Sequence, residues 1–293
     1  MMQRVTTSMT TAAAQRNLQL GASRLAEAQE RAASLDKISR PSDDPTATGE
    51  ALRVRNLQAA NAQYQRNLDD GASWLDTVDS TLSSAHDLMA KVRDLTVQGG
   101  NGALGPDARD ALAREVEGLR ADLLQTANAR FAGRSIFAGT SDSPAAFAAD
   151  GTWSGVDGAS VTRRIGPDTT VRVDADGASA FGTGTDSAFR LLDDLAADLR
   201  SGAPVTGRLT EIDARMSDLR AVQGDVGARH AQILRSKETL IDTSTRLEGR
   251  RAEIEDLDLA AAVLDLKLQE TSYQSALAVT AKVLQPTLMD FLR

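Results

Sequence analysis

Arg40-Pro41-Ser42-Asp43-Asp44-Pro45 decides how this chain is read. It separates two long runs rich in Ala, Leu and Gln, each with the composition of a helix. Pro41 cannot sit inside a helix, because its ring clashes with the preceding turn and it has no N–H to donate. The residue before a proline is pushed out of the helical region, which disfavours helix at Arg40 and Asp44. Asp44 then serves as N-cap with Pro45 at the first helical position, a favoured start. The string therefore predicts one helix ending near Ser39, another beginning at Pro45, and a first segment of about 40 residues that forms a structural unit of its own.

Upstream of the break, Leu18, Gly21, Leu25, Ala28, Ala32 and Leu35 recur at steps of three and four, flanked by Arg24, Glu27, Glu30 and Arg31. That is a coiled-coil type of seam. Downstream, the second helix carries Leu52 and Leu57 and continues through Trp74 to Val97, with Leu75, Val78, Leu82, Ala85, Met89 and Val92 along one side. Gly99-Gly100-Asn101-Gly102 stops it, and Pro106-Asp107 starts a helix predicted to reach about Phe131, with the stripe Leu112, Val116, Leu119 and Leu123.

The character changes between about Gly139 and Gly184, where eight of the 22 glycines fall. Six of the ten aromatic residues lie in or beside it: Phe131, Phe137, Phe147, Trp153, Phe181 and Phe189. Val161, Arg163 and Ile165 alternate, as do Thr169, Val171 and Val173, and Asp176-Gly177 has the composition of a turn. A small β insert with a local core is expected there. Helix resumes at about Asp186 with Phe189, Leu192, Leu195 and Leu199, and Pro204 and Gly207 separate it from a last long run. In that run Ile233, Leu240, Leu247, Ile254, Ala261 and Leu268 fall at intervals of seven, with Leu257 and Leu264 in the second seam position. The phase slips near Thr271 and resumes at Tyr273, Leu277, Ala281, Leu284, Leu288 and Phe291; Pro286 predicts a bend in the final stripe. A narrow stripe buries little by itself, so both end seams call for partners: the opposite end of the same chain, or neighbouring copies.

The fold expected is mainly α with a small β insert, an elongated antiparallel helical bundle or coiled coil built from both chain ends. Residues 1–40 and 258–293 form the terminal segments, 41–139 and 186–257 a helical rod, and 140–185 the insert.

Aromatics are only 3% of the 293 residues, fewer than a large enzyme core draws on. The net charge of −8, without a basic block, argues against nucleic acid as partner. With no cysteine, disulfides and thiolate metal sites are excluded. No apolar run approaches the roughly 20 residues that span a bilayer, so no membrane insertion is expected. The N-terminus lacks the apolar stretch of a cleaved signal peptide, so ordinary signals read as cytosolic unless a specialised route exports the chain.

His86 and His230, the only histidines, lack an i, i+4 partner and read as solvated helix positions. Asp174-Ala175-Asp176-Gly177 resembles part of a calcium loop, but the register puts Arg172 and Thr183 where the first and last ligands belong. Gly182-Thr183-Gly184-Thr185-Asp186 lacks the Lys of a phosphate loop and leads into an Asp186 cap. Neither Asp43-Asp44 nor Asp193-Asp194 is an acid–base dyad, since adjacent residues diverge on a helix. No catalytic, cofactor or metal residues are assigned, and an enzyme is not expected.

Arg40–Pro45, preceded by an amphipathic N-terminus and followed by Thr46-Ala47 and a long helix, resembles the flagellin superfamily of bacterial axial proteins, and within it the hook–filament junction branch. Filament flagellins more often carry a lysine-containing string there. Phe131-Ala132-Gly133-Arg134-Ser135-Ile136-Phe137-Ala138-Gly139-Thr140, followed by Phe147 and Trp153-Ser154-Gly155, resembles the family's lead into its β insert. The resemblance covers essentially the whole length. It implies export by the flagellar type III apparatus without a cleaved signal, and an extracellular site between hook-associated protein 1 and the first flagellin ring. It also implies a homo-oligomeric ring, an export chaperone on the C-terminal segment, and ends that order only on assembly. The implied assembly seams are Leu18, Leu25 and Leu35 at one end and Leu257, Leu264, Leu268, Leu277, Leu284, Leu288 and Phe291 at the other. A short flagellin forming the filament and a cytoplasmic coiled-coil scaffold are the alternatives.

Overall fold

The computed structural model describes residues 2–38 and 40–284. In chain order it comprises α1 (Met2–Ser34), α2 (Pro45–Gly99), α3 (Pro106–Ala127), β1 (Arg130–Phe131), β2 (Arg134–Ser135), β3 (Thr162–Arg164), β4 (Thr170–Arg172), α4 (Gly177–Phe181), α5 (Ala188–Ser201), α6 (Arg208–Glu255) and α7 (Leu259–Leu284). The mainly helical reading with a small β portion holds. The chain divides into two compact units, Met1–Ala59 with Ser244–Arg293, and Ala60–Thr243. Both divisions fall inside helices, α2 and α6, rather than at the proline-rich break.

In the second unit α2 and α6 run antiparallel. Asn61, 7% exposed in the seam, donates its Nδ2 to the Leu240 carbonyl at 3.2 Å. Lys237 meets Asp69 at 2.7 Å and Arg93 meets Asp213 at 2.7 Å. Leu75, Val78, Leu82, Ala85, Met89 and Val92 are buried, as their spacing predicted. Helix α3 packs on α5, tied by Arg120 to Asp193 at 2.6 Å. It ends at Ala127, short of Phe131, because the chain turns into the hairpin β1–β2. Ala132 (φ 46°) and Gly133 (φ 82°) make the two-residue turn, whose left-handed backbone suits Gly and is costly for Ala.

The insert does not keep a core of its own. Phe137, Phe147, Phe181 and Phe189 are fully buried in the same cluster as α2, α3 and α5 side chains. Phe181 stands edge-on to Phe137 (5.2 Å) and Phe147 (5.5 Å), and near Phe189 (6.0 Å). Strands β3 and β4 pair antiparallel with Arg163 opposite Val171. Arg163 ties this hairpin to α2, reaching Asp70 at 2.6 Å and lying 5.3 Å from the Trp74 ring centre. Asp174 is wholly buried; it accepts from Val161 N–H (3.0 Å) and Arg172 Nε (2.8 Å).

Two local readings change. Asp176-Gly177, expected as a turn, is the start of α4: Asp176 Oδ1 accepts from Ala178 N–H at 3.1 Å. Only Gly fits at 177, where a Cβ would lie 2.6 Å from the Phe137 carbonyl oxygen. The cap of α5 is Ser187, not Asp186, whose residue closes a short 3₁₀ turn. Ser187 Oγ accepts from Arg190 N–H at 3.2 Å.

Candidate assembly site: the paired chain ends and their double break

The first unit pairs the two ends of the chain. Helix α1 packs along α7, and the inward residues of α1 are Ala14, Leu18, Gly21, Leu25, Ala28 and Ala32, half-buried or, for Ala28, 4% exposed. Leu18 and Leu25 thus lie on the face that covers α7. Gly21 admits a close approach, because a Cβ there would stand 3.3 Å from the Tyr273 ring.

The inward face of α7 is a different one from its leucine heptad. Ala262, Leu266, Gln269, Tyr273, Ala276 and Thr280, again at steps of four and three, are the covered residues. Leu264 is 74% exposed, Leu268 63% and Leu277 44%, with Leu259, Val263 and Val279 also exposed. Leu257, in the link before α7, is half-buried. Leu284 ends α7, and Leu288, Phe291 and Pro286 lie outside the described residues. So the sequence pattern brings Leu18 and Leu25 into the pair but leaves the α7 leucines pointing away from α1. The reason is steric. Close approach comes from Gly21, Ala28 and Ala32 on α1, which meet a face of α7 that mixes Ala262, Ala276 and Thr280 with Leu266, Gln269 and the Tyr273 ring.

Both helices break at the same level. Helix α1 stops at Ser34, five residues before the expected end, and Leu35 takes a left-handed backbone (φ 61°) and is 51% exposed. The last run is not continuous either: α6 ends at Glu255 and α7 starts at Leu259. The two gaps hydrogen-bond to each other as a short antiparallel bridge, Asp36 opposite Asp256. Lys37 N–H donates to the Glu255 carbonyl at 2.7 Å, and Leu257 N–H to the Leu35 carbonyl at 3.0 Å. These bonds satisfy backbone groups that two helix ends would leave open, and they fix Leu35 outside the helix. Asp258 caps α7, its Oδ1 accepting from Ala260 N–H at 2.9 Å.

The proline string forms as its residues dictate. Asp43 N–H donates to the Arg40 carbonyl at 2.9 Å, closing a turn over Pro41 and Ser42. Asp43 Oδ2 accepts from Arg40 N–H at 2.9 Å, and Asp44 Oδ1 accepts from Ala47 N–H at 2.9 Å, the third residue of α2. We expect Asp44→Ala to cost about 1 kcal/mol of stability and to raise hydrogen exchange in the first turn of α2; unchanged exchange would show that Pro45 alone sets the start.

Charged side chains brace α2 against the end of α6 in this unit. Arg55 Nε lies 2.8 Å from Glu255, and Arg250 Nε donates to Glu50 at 3.1 Å. The hydrogen bond from Arg250 holds the Glu50 carboxyl below its ordinary range. A lowered carboxylate pKa contributes above its unfolded value and is lost as pH falls, so this brace acts at neutral pH and fades in acid. Being exposed, it contributes little by itself.

Among the described residues, no cluster of His, Cys, Asp or Glu could hold a metal ion, and no helix is long and apolar enough to cross a membrane. His230 lies 3.4 Å from Asp76, and Asp193 and Asp194 pair with Arg120 and Arg190.

Comparison with known proteins gives the arrangement a context. The bacterial flagellin N-terminal helical region matches residues 5–142, and the flagellin C-terminal helical region matches 209–292. Flagellar hook-associated protein 3 of Salmonella typhimurium is 24% identical over 82% of this chain and 84% of its own. The flagellar filament 30.7 kDa core protein of Treponema maltophilum is 24% identical over 86% of each. The crystal structure of hook-associated protein-3 from Legionella pneumophila covers 69% of this chain and 98% of its own with a TM-score of 0.60 at 15% identity, which speaks to fold alone. Two family matches that together take in both chain ends, with those ends paired in space, identify the chain as a member of the bacterial flagellin superfamily, a flagellar structural protein similar to hook-associated protein 3.

Proposed function

We propose that this protein is the subunit joining the flagellar hook to the filament, seated between hook-associated protein 1 and the first flagellin subunits as a homo-oligomeric ring outside the cell. The observation that carries the assembly part of this reading is the outward row Leu259, Val263, Leu264, Leu268 and Leu277. It remains exposed although α1 and α7 are already paired. Such a row on a paired helix suits burial against another chain, and the gain in apolar burial offsets the ordering of the ends. The chain leaves through the type III apparatus without a cleaved signal, its C-terminal segment held by an export chaperone until assembly. The choice of junction over filament rests on Arg40–Pro45, whose string resembles the junction branch.

One observation favours a second reading, a short flagellin that forms the filament itself. A filament core protein matches at the same 24% identity as hook-associated protein 3 and over a similar share of the chain.

A deletion strain separates them. Loss of a junction subunit leaves hooks without filaments and sheds flagellin into the medium; loss of the filament subunit sheds none. Assembly through α7 is tested with Leu264→Asp combined with Leu268→Asp. We expect the purified monomer to keep its helical content while failing to restore filaments to the deletion strain. Restored filaments would exclude this row as an assembly face.

A further inference from the structure

We propose that Asn101 is a site of spontaneous covalent modification, converting to aspartate and isoaspartate through a cyclic imide formed with Gly102. Asn101 is the one asparagine followed by glycine; Asn17, Asn56, Asn61, Asn67 and Asn128 precede Leu, Leu, Ala, Leu and Ala. The last five lie in helices or, for Asn128, at a helix end. Asn101 instead lies in the exposed connection between α2 and α3.

The geometry there favours ring closure. Leu104 N–H donates to the Asn101 carbonyl at 3.1 Å, making a tight turn with Gly102 and Ala103 at its corners. Ala103 N–H donates to Asn101 Oδ1 at 3.2 Å, which folds the side-chain amide back over the Gly102 peptide. The position of a Cβ on Gly102 is open space, with nothing within 4 Å. The backbone bonds of this turn use the N–H groups of Asn101 and Leu104 and leave that of Gly102 out.

The chemistry balances with solvent as the only co-reactant. The Gly102 nitrogen, losing its proton to water, attacks Asn101 Cγ, and charge develops on Oδ1. That oxygen already accepts from Ala103 N–H, a fixed donor of the kind that stabilises an oxyanion. The Cγ–Nδ2 bond breaks and ammonia leaves, closing a five-membered imide. Water then adds to either imide carbonyl and reopens the ring, giving aspartate or isoaspartate at position 101. No oxidant, reductant or enzyme is needed.

The product places a charge next to a packed end of α2. A Cβ on Gly99 would stand 2.5 Å from Leu199, and one on Gly100 3.2 Å from Thr206, so the two residues leading into this turn are held tightly against α5 and the link that follows it. A new carboxylate just past the C-terminus of α2 meets the negative end of that helix. Isoaspartate also adds a methylene to the main chain and removes the spacing that the Leu104 to Asn101 bond requires.

The test is peptide mapping of the full-length protein kept folded in mildly alkaline buffer, alongside a sample unfolded in urea. We expect the Asn101 peptide of the folded protein to gain the mass of an amide-to-acid exchange at least about tenfold faster than the Asn56 peptide, and no slower than in urea. Isoaspartate is read by enzymatic methyl transfer. Gly102→Ala, which crowds the attacking nitrogen, should slow the conversion about tenfold. Equal rates at Asn101 and Asn56, an unchanged rate in Gly102→Ala, or a folded rate well below the urea rate would each overturn the proposal.

Discussion

Phe181→Ala is expected to cost the second unit about 3–5 kcal/mol, the range for removing a fully buried ring. Against a typical domain stability of about 5–15 kcal/mol, that is enough to leave the unit marginal. Phe181 is 0% exposed and sits among Phe137, Phe147 and Phe189, with ring centres 5.2, 5.5 and 6.0 Å away. Its removal opens a void lined by three other rings, and the backbone of two of them is tied down by side-chain hydrogen bonds. Phe147 is held by Asn128, whose Nδ2 donates to its carbonyl at 2.9 Å while Oδ1 accepts from its N–H at 2.8 Å. Phe137 is held by Trp153, which donates Nε1 to its carbonyl at 3.0 Å. Urea unfolding followed by the fluorescence of Trp74 and Trp153 measures the loss. A cost below about 1 kcal/mol would mean that the insert is not part of the helical core.

A chain ended at Asp256 is expected to lose more helix than the 26 residues of α7 that it lacks. The covered face of α1 is narrow and contains Gly21, Ala28 and Ala32, and α7 is the element its 33 residues pack along. An unpartnered helix with so little apolar surface is marginal in water. The truncation also removes Leu257, whose N–H holds the Leu35 carbonyl in the bridge. Circular dichroism should therefore record the loss of α1 along with α7. Limited proteolysis should remove the first segment up to about Pro45, while the second unit, with a core of its own, unfolds at an unchanged urea midpoint. Continued protection of α1 in the truncated chain would show that it does not depend on α7 for order.

These two experiments probe the halves of the chain where sequence patterns differ most in what they say. In α2 and at the start and core stripe of α3, local rules were sufficient. Asp44 as cap with Pro45 at the first position is a favoured helix start set by neighbouring residues alone. The stripes Leu75–Val92 and Leu112–Leu123 face the main core cluster. The insert was legible as aromatic and glycine-rich, but its sharing of the helical core was not. That sharing depends on Phe137 and Phe181, 44 positions apart, meeting over Gly177. Ser187 against Asp186 as the cap of α5 was likewise beyond local reading, because both residue types cap well and the preceding 3₁₀ turn decides between them.

The sequence by itself determined that the chain breaks at Arg40–Pro45, that α1 has one covered face through Leu18 and Leu25, and that both ends carry seams. Proline geometry, capping and helical period act over a few residues, so they are written locally. Only the tertiary structure decided which face of α7 meets α1. A heptad records that a seam exists but not what fills it, and the face that meets α1 is the one that sets the Tyr273 ring against Gly21. It also decided where α1 ends. Leu35 leaves the helix because Lys37 and Leu257 bond across to the other end of the chain, a partner more than 200 residues away.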